Sequence, residues 1–102
     1  MKTYFKPLKT RKAFLKLLKE TLTTASVLSK EVPDYSPLLS VVAQLKQIEI
    51  WVESKKKPTQ EEKERINFGL IAVRELESSS DTQTQKLCQA IYDLNYYFRH
   101  NF

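Results

Sequence analysis

Glycine, histidine and cysteine are each present once in this chain of 102 residues, as Gly69, His100 and Cys88. A single glycine excludes the glycine-rich loops that cradle phosphates and argues against a turn-rich β fold. A single cysteine excludes an internal disulfide and any multi-cysteine metal site, and it fits a reducing, cytoplasmic setting. The one histidine is third from the end with no cysteine or carboxylate at ligand spacing, so a histidine-based catalytic or metal site is disfavoured. No apolar run approaches membrane-spanning length, and lysines interrupt the opening before a secretory hydrophobic region can form. Acidic residues are missing from the first nineteen positions, which hold seven positive charges: Lys2, Lys6, Lys9, Arg11, Lys12, Lys16 and Lys19. The net charge of +5 is therefore an N-terminal property, because the remainder carries ten basic and twelve acidic residues.

What the chain does contain is helical periodicity. Hydrophobic residues make up 41% of it, enough for a core, and the length suits one domain at residues 10–102 behind a basic segment at 1–9. The first predicted helix runs from about Thr10 to Lys30, with Phe14, Leu18, Leu22 and Ala25 on one face, and stops before Pro33. Ser36-Pro37 reads as a cap and first turn for a second helix, whose stripe is Leu38, Val41, Val42, Leu45, Ile48 and Val52. Lys55-Lys56-Lys57-Pro58 is a connector. Thr59-Gln60-Glu61-Glu62 has the form of a capping box opening a third helix. Ser78-Ser79-Ser80-Asp81 ends that helix and supplies a cap, Ser80 or Asp81, for a fourth carrying Leu87, Ile91, Leu94 and Phe98. Short connections between such helices predict an all-α fold, a compact antiparallel four-helix bundle.

Gly69 interrupts the third helix. On a wheel started at Ile66, Gly69, Leu70, Val73 and Leu76 fall on one side, the expected core side, with Phe68 roughly opposite. Glycine inside a helix costs about 0.5–1 kcal/mol relative to alanine, so a neighbouring helix too close for a Cβ is the expected compensation. Catalytic constellations are not visible. Cys88 lies at the edge of the last apolar stripe, where a packed thiol is the simpler reading, and Glu61, Glu62, Glu64, Glu75 and Glu77 read as capping and solvating charges.

Three surfaces could bind. Lys9, Lys12, Lys16 and Lys19 form a row on the first helix, suited to nucleic acid, anionic lipid or an acidic protein, or simply to solvent. Tyr92 and Tyr96, with Arg99 beside them, point away from the last apolar stripe and have the chemistry of interface centres, unless they cover the end of the first helix or pack against the N-terminal tail. Phe68 must meet a second helix or a partner, and Trp51, on one flank with Gln44 and Gln47, poses the same choice.

The stretches VPDYSPLL (Val32–Leu39), QLKQI (Gln44–Ile48) and FGLIAVRELE (Phe68–Glu77), followed by Asp81 and a tyrosine-rich last helix, carry a family likeness through their order and spacing. The chain resembles the small all-helical immunity proteins that neutralise NAD(P)-degrading toxin effectors of bacterial type VI secretion, over roughly residues 12–98. The resemblance implies a cytoplasmic protein without catalysis or cofactor that binds its toxin one to one and blocks the active site. Tyr35, Gln44, Gln47 and Gly69 match the pattern, whereas the lysine-rich opening does not belong to it. The candidate partner contacts are Tyr35, Gln44, Gln47, Trp51, Phe68, Tyr92, Tyr96 and Arg99. A basic nucleic-acid-binding or regulatory module is the alternative, on the strength of the lysine row, and self-association through Tyr92 and Tyr96 is a third reading.

Overall fold

The computed structural model of the chain describes residues 8–102. Lys2 and Lys6 lie outside the described residues, whereas Lys9 just before the first helix and Lys12, Lys16 and Lys19 along it are exposed.

Helix α1 spans Arg11–Glu31, and Thr10 caps it by accepting from the Ala13 amide at 3.0 Å. Its buried residues Phe14, Leu18, Thr21, Ala25 and Leu28 alternate spacings of four and three, the pattern that keeps one stripe turned to a neighbour. Helix α2, Ser36–Glu53, starts one residue earlier than its sequence signals suggest: Tyr35 occupies the cap position, and Ser36 and Pro37 form the first turn. Its stripe Leu38, Val41, Val42, Leu45 and Ile48 is buried as expected, and Trp51 joins it where Val52 was placed.

The third wall of the bundle is not one helix. Thr59 forms the capping box of a short α3, Gln60–Glu64, accepting from the Glu62 amide at 3.1 Å while the Glu62 carboxylate takes the Thr59 amide at 2.9 Å. The chain then breaks and resumes as α4, Phe68–Ile71, which runs directly into a π-helical turn over Ala72–Leu76. That turn closes with the Glu77 amide on the Ala72 carbonyl at 2.9 Å, one residue wider than an α-helical step. Helix α5, Thr82–Asn101, is capped by Asp81, which accepts from the Thr84 amide at 2.9 Å.

Helix α1 packs against α2 and α5, while α4 and the π turn pack against the other sides of α2 and α5, so the four walls close on a common core. No strand occurs among the described residues, and the expected antiparallel four-helix bundle is the observed fold. The C-terminal ends of α2 and α5 meet where Trp51 stacks on Phe98 at 6.3 Å between ring centres. Phe14, Tyr97 and Phe102 extend this into an aromatic cluster, with Phe14 and Tyr97 stacked at 4.8 Å. Such pairs add about 0.5–1.5 kcal/mol each beyond their burial.

The core side of the third wall is rotated from the expected one. Phe68 is fully buried and Ala72 and Leu76 follow it inward, whereas Leu70 and Val73 are 49% and 50% exposed. The reason is the break. A wheel drawn through Ile66 assumes a continuous helix, yet Ile66 and Asn67 are not helical and the count restarts at Phe68. The expectation about Gly69 holds in a different phase. A Cβ there would lie 2.7 Å from Asn95 Nδ2 and 2.9 Å from Asn95 Cγ, so α5 is the close neighbour.

Candidate interaction surface

The break between α3 and α4 exposes backbone groups that a continuous helix would satisfy internally. Side chains from two other helices take them over. From α2, Gln44 Nε2 donates to Asn67 Oδ1 at 2.6 Å, and Gln44 Oε1 accepts from the Asn67 amide at 2.7 Å. From α5, Arg99 donates Nη1 to the Lys63 carbonyl at 2.8 Å and Nη2 to the Ile66 carbonyl. Further along, Tyr35 donates its hydroxyl to the Glu75 carbonyl at 3.3 Å and to Glu75 Oε2 at 3.2 Å, and Tyr92 donates to Glu77 Oε1 at 3.0 Å. Four of the eight sequence-nominated contacts are thus tethers that hold residues 63–77 against the bundle.

Two more lie in the core: Phe68 is fully buried, and Trp51 is nearly so, its remaining surface facing a hollow at the end of the bundle. Phe68 was placed opposite the core by the unbroken wheel, and the chain break turns it inward. Trp51 sits on the flank of α2, but its ring is wide enough to be covered by the last turn of α5. Gln47 is exposed on the outer face of α2. Tyr96 is 43% exposed, with its ring stacked 4.2 Å from that of His100, whose Nδ1 lies 2.7 Å from the Tyr96 carbonyl. The nominated residues therefore do not form one patch. Tyr35 and Gln44 border the α2–α4 side, and Tyr96 lies on α5.

What the tethers create is a continuous relief around Glu75. On one side is a shallow groove of about 300 Å³ between α2 and α4, lined by Ser36, Pro37, Ser40, Asn67, Leu70, Ile71, Arg74 and Glu75. On the other is a cleft of about 510 Å³. It is enclosed by the end of α1, the loop into α2, the π turn and the start of α5. Leu28, Val32, Leu38, Leu76 and Leu87 supply its aliphatic surface. Glu31, Glu75 and Asp81 bring three carboxylates to it, alongside Tyr35, Ser79, Gln83 and Thr84. Among the described residues no lysine, arginine or histidine lines it.

The electrostatics of this region follow from its hydrogen bonds. Asp81 is held below its ordinary carboxylate value by the Thr84 amide and then by the Thr84 hydroxyl, so it stays ionised. The Tyr35 phenol is raised above its usual value, first by desolvation and then by the Glu75 carboxylate, so it remains a donor. Glu75 was read from the sequence as a solvating charge and Leu70 as core; nothing local distinguishes a rim carboxylate from any other surface glutamate. The opposite end of the molecule is basic: Arg11, Lys55, Lys56 and Lys57 line a hollow of about 500 Å³ with Trp51 and Phe102.

Chemistry is poorly served elsewhere. Cys88 is buried, its Sγ facing the Ala72 carbonyl at 3.8 Å, and desolvation raises the thiol above its usual value, which lowers the thiolate fraction at neutral pH. Among the described residues no group of three or more histidine, cysteine, aspartate or glutamate side chains is placed to hold a metal ion, and no helix is long and apolar enough to cross a membrane.

No curated protein and no solved structure matches the chain. A family model does, over residues 13–100, which takes in all four walls of the bundle and leaves out the opening through Lys12. With that match and the all-helical architecture in agreement, the chain belongs to the Tsi6 family, the type VI secretion immunity proteins for the NAD(P)-glycohydrolase toxin Tse6.

Proposed function

We propose that this protein binds a NAD(P)-degrading toxin domain in the cytoplasm, one to one, and protects the cell by covering the toxin's active site. The observation that carries this reading is the family match across residues 13–100. The surface supports it: Leu70 and Val73 stand half-exposed beside two concave regions that meet at Glu75. A stable interface needs about 800 Å² from each partner, more than either hollow offers alone, so the groove, the cleft and the exposed α4 face act together. Among the nominated residues Tyr35 borders this region directly, and Gln44 fixes its edge by holding Asn67. Inhibition by occlusion asks for shape and complementary charge, and it makes no use of Cys88 or His100.

The test is co-expression with a Tse6-type toxin domain from the same genome. Cells survive and retain NAD, and the purified pair elutes as a one-to-one complex with nanomolar or tighter affinity. Failure of the pair to associate, together with NAD loss and death, refutes the proposal.

A second reading has its own observation. The exposed lysine row and the basic hollow at Arg11 and Lys55–57 form one electropositive end, suited to nucleic acid. Lys19 is engaged by Glu53 at 4.0 Å and Lys56 by Glu62 at 3.4 Å, which reduces the charge on offer. A mobility-shift titration at low salt decides it: no retardation of duplex DNA or RNA removes this reading.

A further inference from the structure

The cleft beside the π turn combines two features that one kind of side chain satisfies together. Its walls are aliphatic, and its polar rim carries the carboxylates of Glu31, Glu75 and Asp81, with no cationic side chain among the described residues that line it. Two of those carboxylates are held in place before any partner arrives. Glu75 Oε2 accepts from the Tyr35 hydroxyl at 3.2 Å, and Asp81 Oδ2 accepts from the Thr84 amide at 2.9 Å and its hydroxyl at 2.8 Å. Lysine and arginine have an apolar stem and a cationic head, so the stem can cover the leucines while the head reaches the rim. Carboxylates already fixed in position lose less entropy on pairing.

We infer that this cleft receives a lysine or arginine, with an adjoining aliphatic side chain, from the toxin domain. The inference rests on the proposed immunity function and adds the chemistry of the contact. The opening lysines among the described residues are excluded as occupants. Lys9, Lys12, Lys16 and Lys19 stand before or within the first half of α1, whose opposite end lines the cleft. An anionic partner is excluded by the same rim. The protein as a whole is positive, so an anion would be drawn to the basic end. A second copy docking its basic end is the competing occupant, and the experiment separates it.

Glu31 and Gln83 are exposed residues on the cleft, and neither tethers another element. The double variant Glu31→Lys/Gln83→Lys reverses the rim, while Gln60→Lys/Glu64→Lys makes the same change in net charge on α3. Lysine at position 31 suits the C-terminal end of α1, so the fold is not put at risk there. Association with the Tse6-type toxin domain is measured by surface plasmon resonance at low and physiological salt. The expected result is at least a tenfold loss of affinity for the cleft pair, with a smaller salt dependence, and a change under threefold for the α3 pair. Gln83→Glu, which adds a carboxylate, is expected to speed association two- to threefold.

Wild-type binding with an unaffected cleft pair overturns the inference and leaves the immunity function standing. Equal losses in both pairs overturn it too, as a response to total charge. If the wild-type protein does not bind the toxin at all, the functional proposal falls and the inference falls with it. Sedimentation of the isolated protein completes the set: an oligomer that the cleft pair disperses would give the cleft to a second copy and overturn the assignment to the toxin.

Discussion

At Gly69 the missing Cβ leaves room for the Asn95 side chain of α5, and the two residues should respond to substitution as a unit. Alanine at position 69 gains helix propensity worth about 0.5–1 kcal/mol but drives its methyl into the Asn95 amide, which must rotate away. Gly69→Ala is expected to destabilise by about 1 kcal/mol in urea unfolding, within the usual range for overpacking. Asn95→Ala should be close to neutral, because Asn95 Oδ1 is buried without a partner. The double variant should regain wild-type stability or exceed it, giving a coupling of opposite sign to the single loss. Thr21 offers a simpler case. Its hydroxyl is buried in α1 with no hydrogen bond, so Thr21→Val, nearly equal in shape, should stabilise by about 1 kcal/mol on the same measurement.

Between elements, the decisive feature is the break at residues 65–67. Thr59 and its reciprocal partner Glu62 were legible as a capping box because capping depends on residues three apart in sequence. The break was not legible, since the groups that stabilise it, Gln44 and Arg99, lie 23 and 33 residues from their acceptors or donors at Asn67 and Ile66. With the break unseen, the helical wheel placed Leu70 and Val73 inside and Phe68 outside. The same long range hid the tethering role of Tyr35, Gln44, Tyr92 and Arg99: polar and aromatic residues on an outer flank have the same local signature whether they bind another protein, another part of their own chain, or both. Arg99→Leu should unfold at lower urea, with a loss of about 2 kcal/mol for hydrogen bonds from a charged donor. Hydrogen exchange of the Lys63–Asn67 amides should rise more than that of α1, because the loss is felt first at the break.

For the molecule as a whole, acid stability follows from the caps that bound its third wall. The Thr59 amide, foremost, holds Glu62 below its ordinary carboxylate value, and the Thr84 amide does the same for Asp81. A carboxyl that is lowered in the folded state contributes stability above its unfolded value and loses it as pH falls through the folded one. Asp93 works in the opposite sense: desolvation raises it, so the folded state gains as it protonates. Glu62→Gln/Asp81→Asn keeps acceptors at both caps while removing their titration. Its melting temperature should therefore fall less than that of wild type between about pH 6 and about pH 3, and a parallel fall would deny the caps this role.

Periodicity and punctuation alone determined that the chain is helical, that its walls number four and run alternately up and down, and where α1, α2 and α5 turn their apolar stripes. Those properties depend on neighbours within a turn or two. The order of VPDYSPLL, QLKQI and FGLIAVRELE also carried the family. Only the tertiary structure decided which face of the third wall is core, what Gly69 accommodates, and which polar residues are internal tethers. It alone brought Glu31, Glu75 and Asp81 from three separate segments to one apolar cleft. Each of these depends on side chains distant in sequence becoming close in space, and local periodicity holds no record of such meetings.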